Sequence, residues 1–282
     1  MSFAIEKHLK LSCKVGFMRL AVVVSSKDPA GMNVKKHLGK EEHTLTGEFE
    51  GQSVLKFPDF SLYTIGDFCI YAEHLDKKIE ADLIIFATTH RSKENVPALT
   101  CHFVGNWAEA KIGGRPKTLG YAPAELLKKA YLSLKKNSVP GYETTIESTH
   151  HGPELDIPCI FMEIGSTEKE WNDPAAGEAM ASAILETIRM EISPQRAALA
   201  LGGPHYGNSF MRVMDRSDIA IGHLCPKHML HHLDENMLKQ AIDKIEGCKL
   251  ILLDWKGLGQ EKERITSLLE GIPLEVLRTD KI

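Results

Sequence analysis

The sequence predicts an α/β fold, a three-layer α/β/α sandwich with a mixed, largely parallel sheet. Apolar, strand-like runs alternate with amphipathic segments of helical period along most of the 282 residues, as in strands joined by crossover helices. A hydrophobic content of 43% is enough for a large buried core. Because ligands bind beyond the carboxyl ends of parallel strands, residues that follow the runs are predicted to line one crevice. The runs are 83–89 before His90, 197–201 before His205, 219–222 before His223, and 250–253 before Asp254.

The first predicted elements are a strand and a helix. The strand covers residues 20–24, and Asp28 and Pro29 follow as an N-cap and a first helical residue. Residues 39–66 are polar and rich in Glu, Gly and Thr, so short strands or a loop are expected there. An extended run at 99–104 predicts a further strand.

Helical periodicity predicts four later helices. The first begins near Pro123, and its apolar face leaves Lys128 and Lys129 on the side that is expected to face solvent. The remaining predicted elements are helices from Asp173, after Asp234 and near 261–270, and a short strand at 274–277.

The chain divides into a leader and one domain. Residues 1–17 carry three lysines and look unlike the rest, so we expect a leader or a disordered arm there, with Met18 as the natural start. Residues 18–282 are predicted to form a single α/β/α domain, within which a C-terminal subdomain could begin near residue 195.

Charge, cysteines and hydropathy bear on where the protein acts. The net charge of −4 is unlike that of a protein that binds polyanions over its whole surface, although it leaves room for a local basic face. Six cysteines lie far apart without a Cys-x-x-Cys motif, as expected of buried thiols in a reducing compartment. The sequence has no apolar run of roughly 18 residues or more, so no membrane partner is predicted. These features predict a cytoplasmic protein.

The densest stretch of chemically active residues is 149–154. Adjacent histidines in a strand point to opposite faces, so His150 and His151 reach one site only if the chain turns, which the following Gly-Pro permits. Glu163 lies in an otherwise apolar strand, where a carboxylate needs a cation or an imidazole beside it. Glu163 is therefore the first candidate for a general base or for a carboxylate that orients a ligand.

Several histidines lie beside predicted turns and are candidate metal ligands, since imidazole is the commonest protein ligand of zinc. Any one of them alone is more often a hydrogen-bonded structural residue, but together they favour a site. They are His90, His102, His150, His151, His205 and His223. A competing group is His228, His231 and His232, which would share one helix face.

The loop 254–257 combines an anion, an aromatic ring, a cation and a glycine. Lys256 could neutralise an oxyanion or a phosphate, and Trp255 could stack on a base. The same residues could equally form a capped strand end with a packed indole. The sequence also lacks the dinucleotide, P-loop, Gly-x-Ser-x-Gly and His-Glu-x-x-His motifs, which disfavours the chemistries that depend on them, dinucleotide binding included.

Seven short motifs occur in register from about Met18 to the C-terminus. In order and spacing they resemble the archaeal and plant family of D-aminoacyl-tRNA deacylases. The resemblance implies hydrolysis of the ester that joins a D-amino acid to tRNA, with zinc as cofactor. It also implies a phosphorylase/hydrolase-like α/β/α fold similar to peptidyl-tRNA hydrolase. The motifs are His90-Arg91-Ser92, Leu99 to Trp107, Thr149 to Pro153, Glu163 to Ser166, Gly203 to Tyr206, Gly222-His223 and Asp254 to Gly257.

With that resemblance, the candidate residues acquire expected roles around a metal-activated water. We expect catalytic roles for Glu163, His151 and Lys256. The expected zinc ligands are His90, His102, His150, His205 and His223. The expected substrate-binding residues are Arg91, Asn106, Trp107, Arg115, Tyr206 and Trp255. Phosphate contacts are expected from Lys111, Arg115, Lys117, Lys128 and Lys129.

Two other functions stay open. A metal-dependent amidase or peptidase that acts on small substrates would use the same histidines. A non-catalytic RNA-binding protein would hold them as structural residues and bind no metal. For the deacylase we expect D-aminoacyl-tRNA as the partner and a monomeric protein.

Overall fold

The computed structural model describes residues 18–282, and the predicted leader at 1–17 lies outside the described residues. The strands are β1 (Leu20–Ser25), β2 (Thr44–Phe49), β3 (Gln52–Lys56), β4 (Ser61–Ile65), β5 (Leu83–Arg91), β6 (Ala98–Phe103), β7 (Gly105–Asn106), β8 (Thr118–Leu119), β9 (Glu143–Ile146), β10 (Cys159–Ser166), β11 (Arg196–Leu201), β12 (Ile219–Cys225), β13 (Cys248–Leu253) and β14 (Glu275–Arg278). The helices are α1 (Pro29–Leu38), α2 (Ala124–Lys136), α3 (Glu168–Trp171), α4 (Pro174–Arg189), α5 (Asn208–Arg216), α6 (Glu235–Asp243) and α7 (Lys262–Leu268).

Two main sheets organise the fold. The larger has eight strands in the order β2-β3-β4-β1-β5-β10-β6-β9, with parallel pairing from β4 to β10 and between β6 and β9. Strand β6 runs antiparallel to β10, and β2, β3 and β4 form an antiparallel meander. The second sheet, β12-β11-β13-β14, is wholly parallel and begins at Arg196. The predicted α/β fold with a mixed, largely parallel sheet is confirmed.

Local signals explain where the helices begin. The Asp28 side chain accepts a hydrogen bond from the Gly31 N–H, and the Asp234 side chain accepts one from the Met237 N–H, so both cap their helices as predicted. Asp173 does the same for α4, whose first residue is Pro174. The polar stretch 39–66 forms the short strands β2, β3 and β4.

The hydrophobic core packs against both faces of the central strands of the larger sheet. All eight residues of β10 are buried, as expected of a strand with neighbours on both sides and cover on both faces. One face packs against α1, α2 and α4 in a cluster that continues into the second sheet. The other face, with Phe86 and Phe161, is covered by a segment of short 3-10 turns around Cys69 and Leu75. The polar residues of the candidate site emerge on this second face.

Lys128 corrects one prediction made from helical periodicity. Its side chain is buried, and its ammonium donates hydrogen bonds to Gln195 Oε1 at 2.5 Å and to the carbonyls of Ser217 and Ile219 at 2.7 and 3.1 Å. The residue therefore ties α2 to the start of β12, and the prediction that it faces solvent and contacts phosphate is wrong. Three oxygen acceptors make this burial tolerable.

Two further sequence features can be followed in the structure. Between residues 18 and 282 no helix combines the length and the apolar character that crossing a bilayer requires. The five cysteines in the same range are free thiols, and all but Cys248 are fully buried.

Candidate functional site

The register of three neighbouring strands brings the first residues of the site together. Strand β10 places Glu163 beside Thr88 of β5 on one side and beside Thr100 of β6 on the other. Because side chains alternate along a strand, His90 and His102 point to the same face as Glu163. Both histidines lie inside their strands, so His90 does not follow the end of β5 as the sequence suggested.

Glu163 has the imidazole neighbours that its burial demands. The Thr88 hydroxyl donates to its Oε1 at 2.8 Å, His90 Nδ1 lies 3.4 Å from Oε2, and His102 Nε2 lies 3.8 Å from Oε1. Burial alone would raise the pKa of Glu163, but the adjacent imidazoles of His102 and His90 hold that pKa well below its usual range. The group is a carboxylate.

A second buried carboxylate, Glu147, was missed from the sequence. It follows β9, and its Oε2 accepts a hydrogen bond from His205 Nε2 at 2.8 Å. Its Oε1 lies 3.2 Å from His90 Nδ1 but has no hydrogen bond. Burial opposes ionisation, yet the His205 hydrogen bond and the nearby histidines lower the pKa of Glu147 to about 2. Glu147 ends a β-branched run just as Glu163 interrupts an apolar one, so the same signal was available.

His90 joins the two carboxylates. Burial lowers its pKa, but the hydrogen bond of Glu163 and the charges of both glutamates reverse this, so the pKa of His90 is raised overall. On its other side, His90 Nε2 is hydrogen-bonded to the Tyr206 hydroxyl at 3.0 Å. The structure therefore places Tyr206, expected from the sequence to bind substrate, at the edge of the site.

Three histidines share one hydrogen-bonding pattern. Nδ1 of His102, His150 and His151 lies 3.0, 2.7 and 2.6 Å from the backbone carbonyls of Phe103, Ser148 and Gly152. Since a carbonyl only accepts, each Nδ1 carries a proton, and Nε2 is the ring nitrogen that can bind a metal ion once it is deprotonated. The three rings lie together, with centroids 4.1 to 4.9 Å apart. This tautomer is the one that metal-binding histidines adopt when a backbone carbonyl orients them.

The chain turn explains how both adjacent histidines reach one site. His151 has a positive φ of 45°, which breaks the strand alternation that would otherwise separate His150 from His151. Burial lowers the pKa of His151 to about 4 and the pKa of His150 well below its usual value. Both rings are therefore neutral near pH 7, which is the form that binds metal ions.

His205 enters the site from the second sheet. Its Nδ1 accepts a hydrogen bond from the Ser148 hydroxyl at 2.8 Å, while its Nε2–H donates to Glu147. Its ring lies 4.8 Å from that of His150. Residues of the loop after β11 thus meet residues of the larger sheet, as the strand-end pattern predicted for His205.

Among residues 18–282, three groups of side chains could hold a metal ion, because in each group the ligand atoms lie within 4.8 Å of one another. His102 Nε2 and Glu147 Oε1 are buried and lack hydrogen-bond partners, as expected of atoms whose partner is an ion. The donor set therefore fits zinc. The groups are His102 with His150 and His151, Glu147 with His150 and His205, and His90 with Glu147 and Glu163.

His223 does not join the site, in contrast to its expected role as a ligand. Its Nε2–H donates to the Gly120 carbonyl at 3.0 Å, and its Nδ1 accepts from the Thr149 hydroxyl at 3.1 Å. It is fully buried inside β12, and burial lowers its pKa to about 4. With both ring nitrogens satisfied by protein groups, His223 has no lone pair left for a metal ion.

The loop after β13 also stays apart. Asp254 accepts hydrogen bonds from Ser209 and from the Gly257 N–H, and the Trp255 ring has Lys262 and Arg278 within 4.7 Å of its centroid. Lys256 is exposed, and no hydrogen bond, ion pair or ring contact in the described part of the chain joins it to the cluster. The loop is a capped strand end with a packed indole, so the roles expected for Trp255 and Lys256 find no support in these contacts.

The other expected substrate-binding residues lie in different places. Asn106 lines a cavity beside the cluster, and its amide donates to the Gly113 carbonyl. Trp107 lines the same cavity, but its ring is 2% exposed, which leaves little surface for stacking on a base. Arg91 lies 4.5 Å from the centroid of the Trp171 ring, and Arg115 is ion-paired with Glu154 in a separate cleft.

The competing histidine group does not assemble. His231 and His232 belong to a short 3-10 turn with ring centroids 3.8 Å apart, and His228 instead lines the cavity beside the cluster. Within residues 18–282 these three do not form a group whose ligand atoms lie close together.

The cluster opens to solvent at one edge. His90, His102 and Glu163 are buried, whereas the side chains of His150 and His205 are 33% and 36% exposed. Those two residues line a cavity of about 240 Å³. A substrate reaches the cluster most directly through this opening.

Comparison with known proteins identifies the family to which the chain belongs. A family model described as D-aminoacyl-tRNA deacylase matches residues 77–277. A D-aminoacyl-tRNA deacylase from Methanosarcina acetivorans is 37% identical, with 94% of this chain and 93% of the relative covered. One from Pyrococcus abyssi is 35% identical, with 92% and 100% covered.

A solved structure is similar along almost the whole chain. The crystal structure of AF0625, a conserved protein of unknown function, has a TM-score of 0.87 and 33% identity, with 95% of this chain and 97% of that chain covered. These matches confirm the resemblance that the sequence motifs carry. The chain belongs to the D-aminoacyl-tRNA deacylase family.

Proposed function

We propose that this protein hydrolyses the ester bond of D-aminoacyl-tRNA and releases tRNA and the free D-amino acid. The proposal rests on family membership together with one structural observation. That observation is a buried cluster of five histidines and two carboxylates, open to solvent at His150 and His205. Such a cluster supplies the ligands and proton acceptors that hydrolysis of an ester requires.

We propose zinc as the cofactor, held by His102, His150 and His151. With each Nδ1–H on a backbone carbonyl, the three Nε2 atoms are left to bind the ion, and the ligand atoms of the three side chains lie within 4.8 Å of one another. When bound, zinc supplies Lewis acidity toward a carbonyl and toward water. His90, His205 and the two glutamates then provide the surrounding hydrogen bonds.

The proton acceptor in this proposal is the Glu147–His205 pair. The sequence favours Glu163 as general base, but Glu163 lies behind His90 and its Oε1 is occupied by Thr88. Glu147 instead contacts His205, which reaches the open edge, and one of its oxygens has no hydrogen bond. A proton taken up by His205 would be stabilised by the Glu147 carboxylate, while Glu163 keeps His90 and His102 in position.

The tRNA needs cations outside the cluster, because the net charge is negative. Lys111 is 83% exposed, Lys129 is half-buried on α2, and Lys117 is paired with Asp234 on the surface. We propose these lysines, with Arg91 and Arg115, as the phosphate contacts. Surface ion pairs are weak enough to exchange a carboxylate for a phosphate.

The proposal includes a monomer in the cytoplasm. Every residue of the cluster comes from one chain, so a second copy is not needed to complete it. The free thiols between residues 18 and 282 suit a reducing compartment.

One assay tests the function. D-tyrosyl-tRNA and L-tyrosyl-tRNA are offered with and without a chelator, with a free amino-acid amide as the control substrate. The proposal predicts rapid release of D-tyrosine, slow release of L-tyrosine, loss of activity with chelator and no cleavage of the amide. Cleavage of the amide would indicate an amidase, and binding of tRNA without hydrolysis would indicate a non-catalytic RNA-binding protein.

A further inference from the structure

We propose that the cavity of about 240 Å³ beside the cluster receives the side chain of the esterified amino acid, and that Met229 and Ala108 set the largest side chain it accepts. This inference rests on the proposed ester hydrolysis and deepens it. It assigns the cavity to one part of the substrate and assigns specificity to two residues that the sequence motifs did not single out.

The cavity lies where a substrate can reach the cluster from solvent. His90, His102 and Glu163 are buried, so an ester carbonyl meets the cluster at its exposed edge. His150, His151 and His205 are half-buried at that edge, and His150 and His205 line the cavity. The reacting carbonyl is therefore expected at the inner end of the cavity.

The structure of the aminoacyl ester then indicates which of its parts fills the cavity. The carbon that bears the amino-acid side chain is bonded directly to the ester carbonyl, whereas the terminal adenine is separated from it by the ribose ring. A group that fills space next to the carbonyl is therefore the side chain. At about 240 Å³ the cavity lies below the roughly 300–1,000 Å³ of pockets that enclose whole small-molecule ligands, as expected for a pocket that holds one part of a substrate.

The walls of the cavity suit side chains of varied chemistry. Apolar surface comes from Trp107, Ala108, Pro226 and Met229, and polar groups come from Asn106, Glu109 and His228. Apolar walls with a few polar groups favour binding by shape and burial over recognition of one functional group. A pocket of this kind limits substrates mainly by size.

Met229 and Ala108 are the residues best placed to set that size. Met229 is half-buried, and its backbone is fixed because its N–H donates to the Pro226 carbonyl at 2.9 Å. Ala108 is half-buried on a different loop, and its carbonyl accepts the Lys117 N–H at 2.8 Å. Each loop is thus held by its backbone and each of the two residues lines the cavity, so a larger side chain at either position is expected to narrow the pocket.

The experiment compares a large and a small substrate in two independent variants. Met229→Trp and Ala108→Leu are assayed with D-tyrosyl-tRNA and D-alanyl-tRNA as the full chain loaded with zinc. The matched control is Met32→Trp, which adds the same indole at an exposed position on α1, outside the cavity. We expect both cavity variants to lower the ratio of kcat/KM for D-tyrosyl to D-alanyl ester by about tenfold or more, with the control ratio unchanged.

The outcomes separate this inference from the proposed function. Equal losses on both esters would overturn the side-chain assignment and indicate that the cavity binds a part common to all substrates, such as the terminal adenine. An unchanged ratio with undiminished rates would overturn it as well, because the cavity would then be unused. If the wild-type protein hydrolyses neither ester, the proposed function itself fails, and that result does not depend on the variants.

Discussion

Two regions of this protein use histidine side chains in opposite ways. In the cluster, His102 has an Nε2 with no partner, and His150 and His151 commit only Nδ1 to backbone carbonyls. In β12, His223 commits both nitrogens, to Gly120 and to Thr149. The cluster histidines therefore keep a ring nitrogen that no protein group occupies, whereas His223 has none.

The carboxylates reinforce this difference. Glu147 and Glu163 lie within 3.8 Å of cluster histidines, whereas the contacts of His223 are a carbonyl, a hydroxyl and aromatic rings. Two buried negative charges are stable only beside imidazoles or a cation. The cluster is therefore built for ionic chemistry, and the region around His223 is built for packing.

Removing the charge of Glu147 is expected to have the largest effect. Glu147→Gln keeps the shape of the side chain but removes its capacity to stabilise a proton on His205. We expect kcat for D-tyrosyl-tRNA to fall by about 10²–10⁴-fold, the range for loss of a general base. Steady-state rates measure this, with circular dichroism to confirm the fold. A loss below tenfold would place the proton acceptor elsewhere.

Glu163→Gln is expected to have a smaller effect. Glu163 acts through His90 and His102, so its loss misplaces those rings without removing the acceptor at the open edge. We expect kcat to fall by about 10–100-fold, as for loss of a partner that orients a ligand. Equal damage from both glutamine variants would instead assign Glu163 a direct role in proton transfer.

His223→Leu tests whether His223 contributes to stability and not to catalysis. The change leaves the Gly120 carbonyl without its donor and the Thr149 hydroxyl without its acceptor, which costs about 1–3 kcal/mol in the free energy of unfolding. Urea unfolding measures this as a lower midpoint with an unchanged slope. We expect kcat per folded molecule to stay within about twofold of wild type. A large loss of kcat with normal stability would move His223 into the reaction.

The same residue predicts how stability depends on pH. The pKa of His223 is about 4 in the folded protein and 6.5 in an unfolded chain, so the unfolded state binds more protons between these values. Stability therefore decreases as the pH falls from 6.5 towards 4. The advantage of wild type over His223→Leu should shrink across that window, by up to about 3 kcal/mol. An advantage that stays constant would show that His223 is protonated in the folded state.

Much of the fold could be predicted from sequence because its signals are local. Aspartate caps and a proline in the first turn mark α1 and α4, and apolar runs mark β5 and β10. Lys128 was misplaced since helical periodicity does not reveal that α2 lies between two sheets. Only tertiary contacts supply the three oxygens that bury its ammonium.

The candidate site could be predicted only in part, because local sequence signals reveal some of its side chains but not their hydrogen-bond partners. Side chains in β5 and β6 and after β11 could be assigned to one crevice, because strand direction determines where they lie. Strand direction does not determine the partners of a ring nitrogen, so His223 could not be told from His102 by sequence. Glu147 ends a β-branched run that could be read from the sequence, but its place beside the histidines depends on the pairing of its short strand with β6, which is distant in the chain.

The most direct test of this account is the zinc content of two purified variants. After dialysis against a weak chelator, His102→Gln and His223→Gln are compared with wild type by elemental analysis. If unsatisfied ring nitrogens define the metal centre, wild type and His223→Gln retain zinc while His102→Gln loses most of it. Equal zinc retention in His102→Gln and wild type, or loss of zinc from His223→Gln alone, would contradict the account.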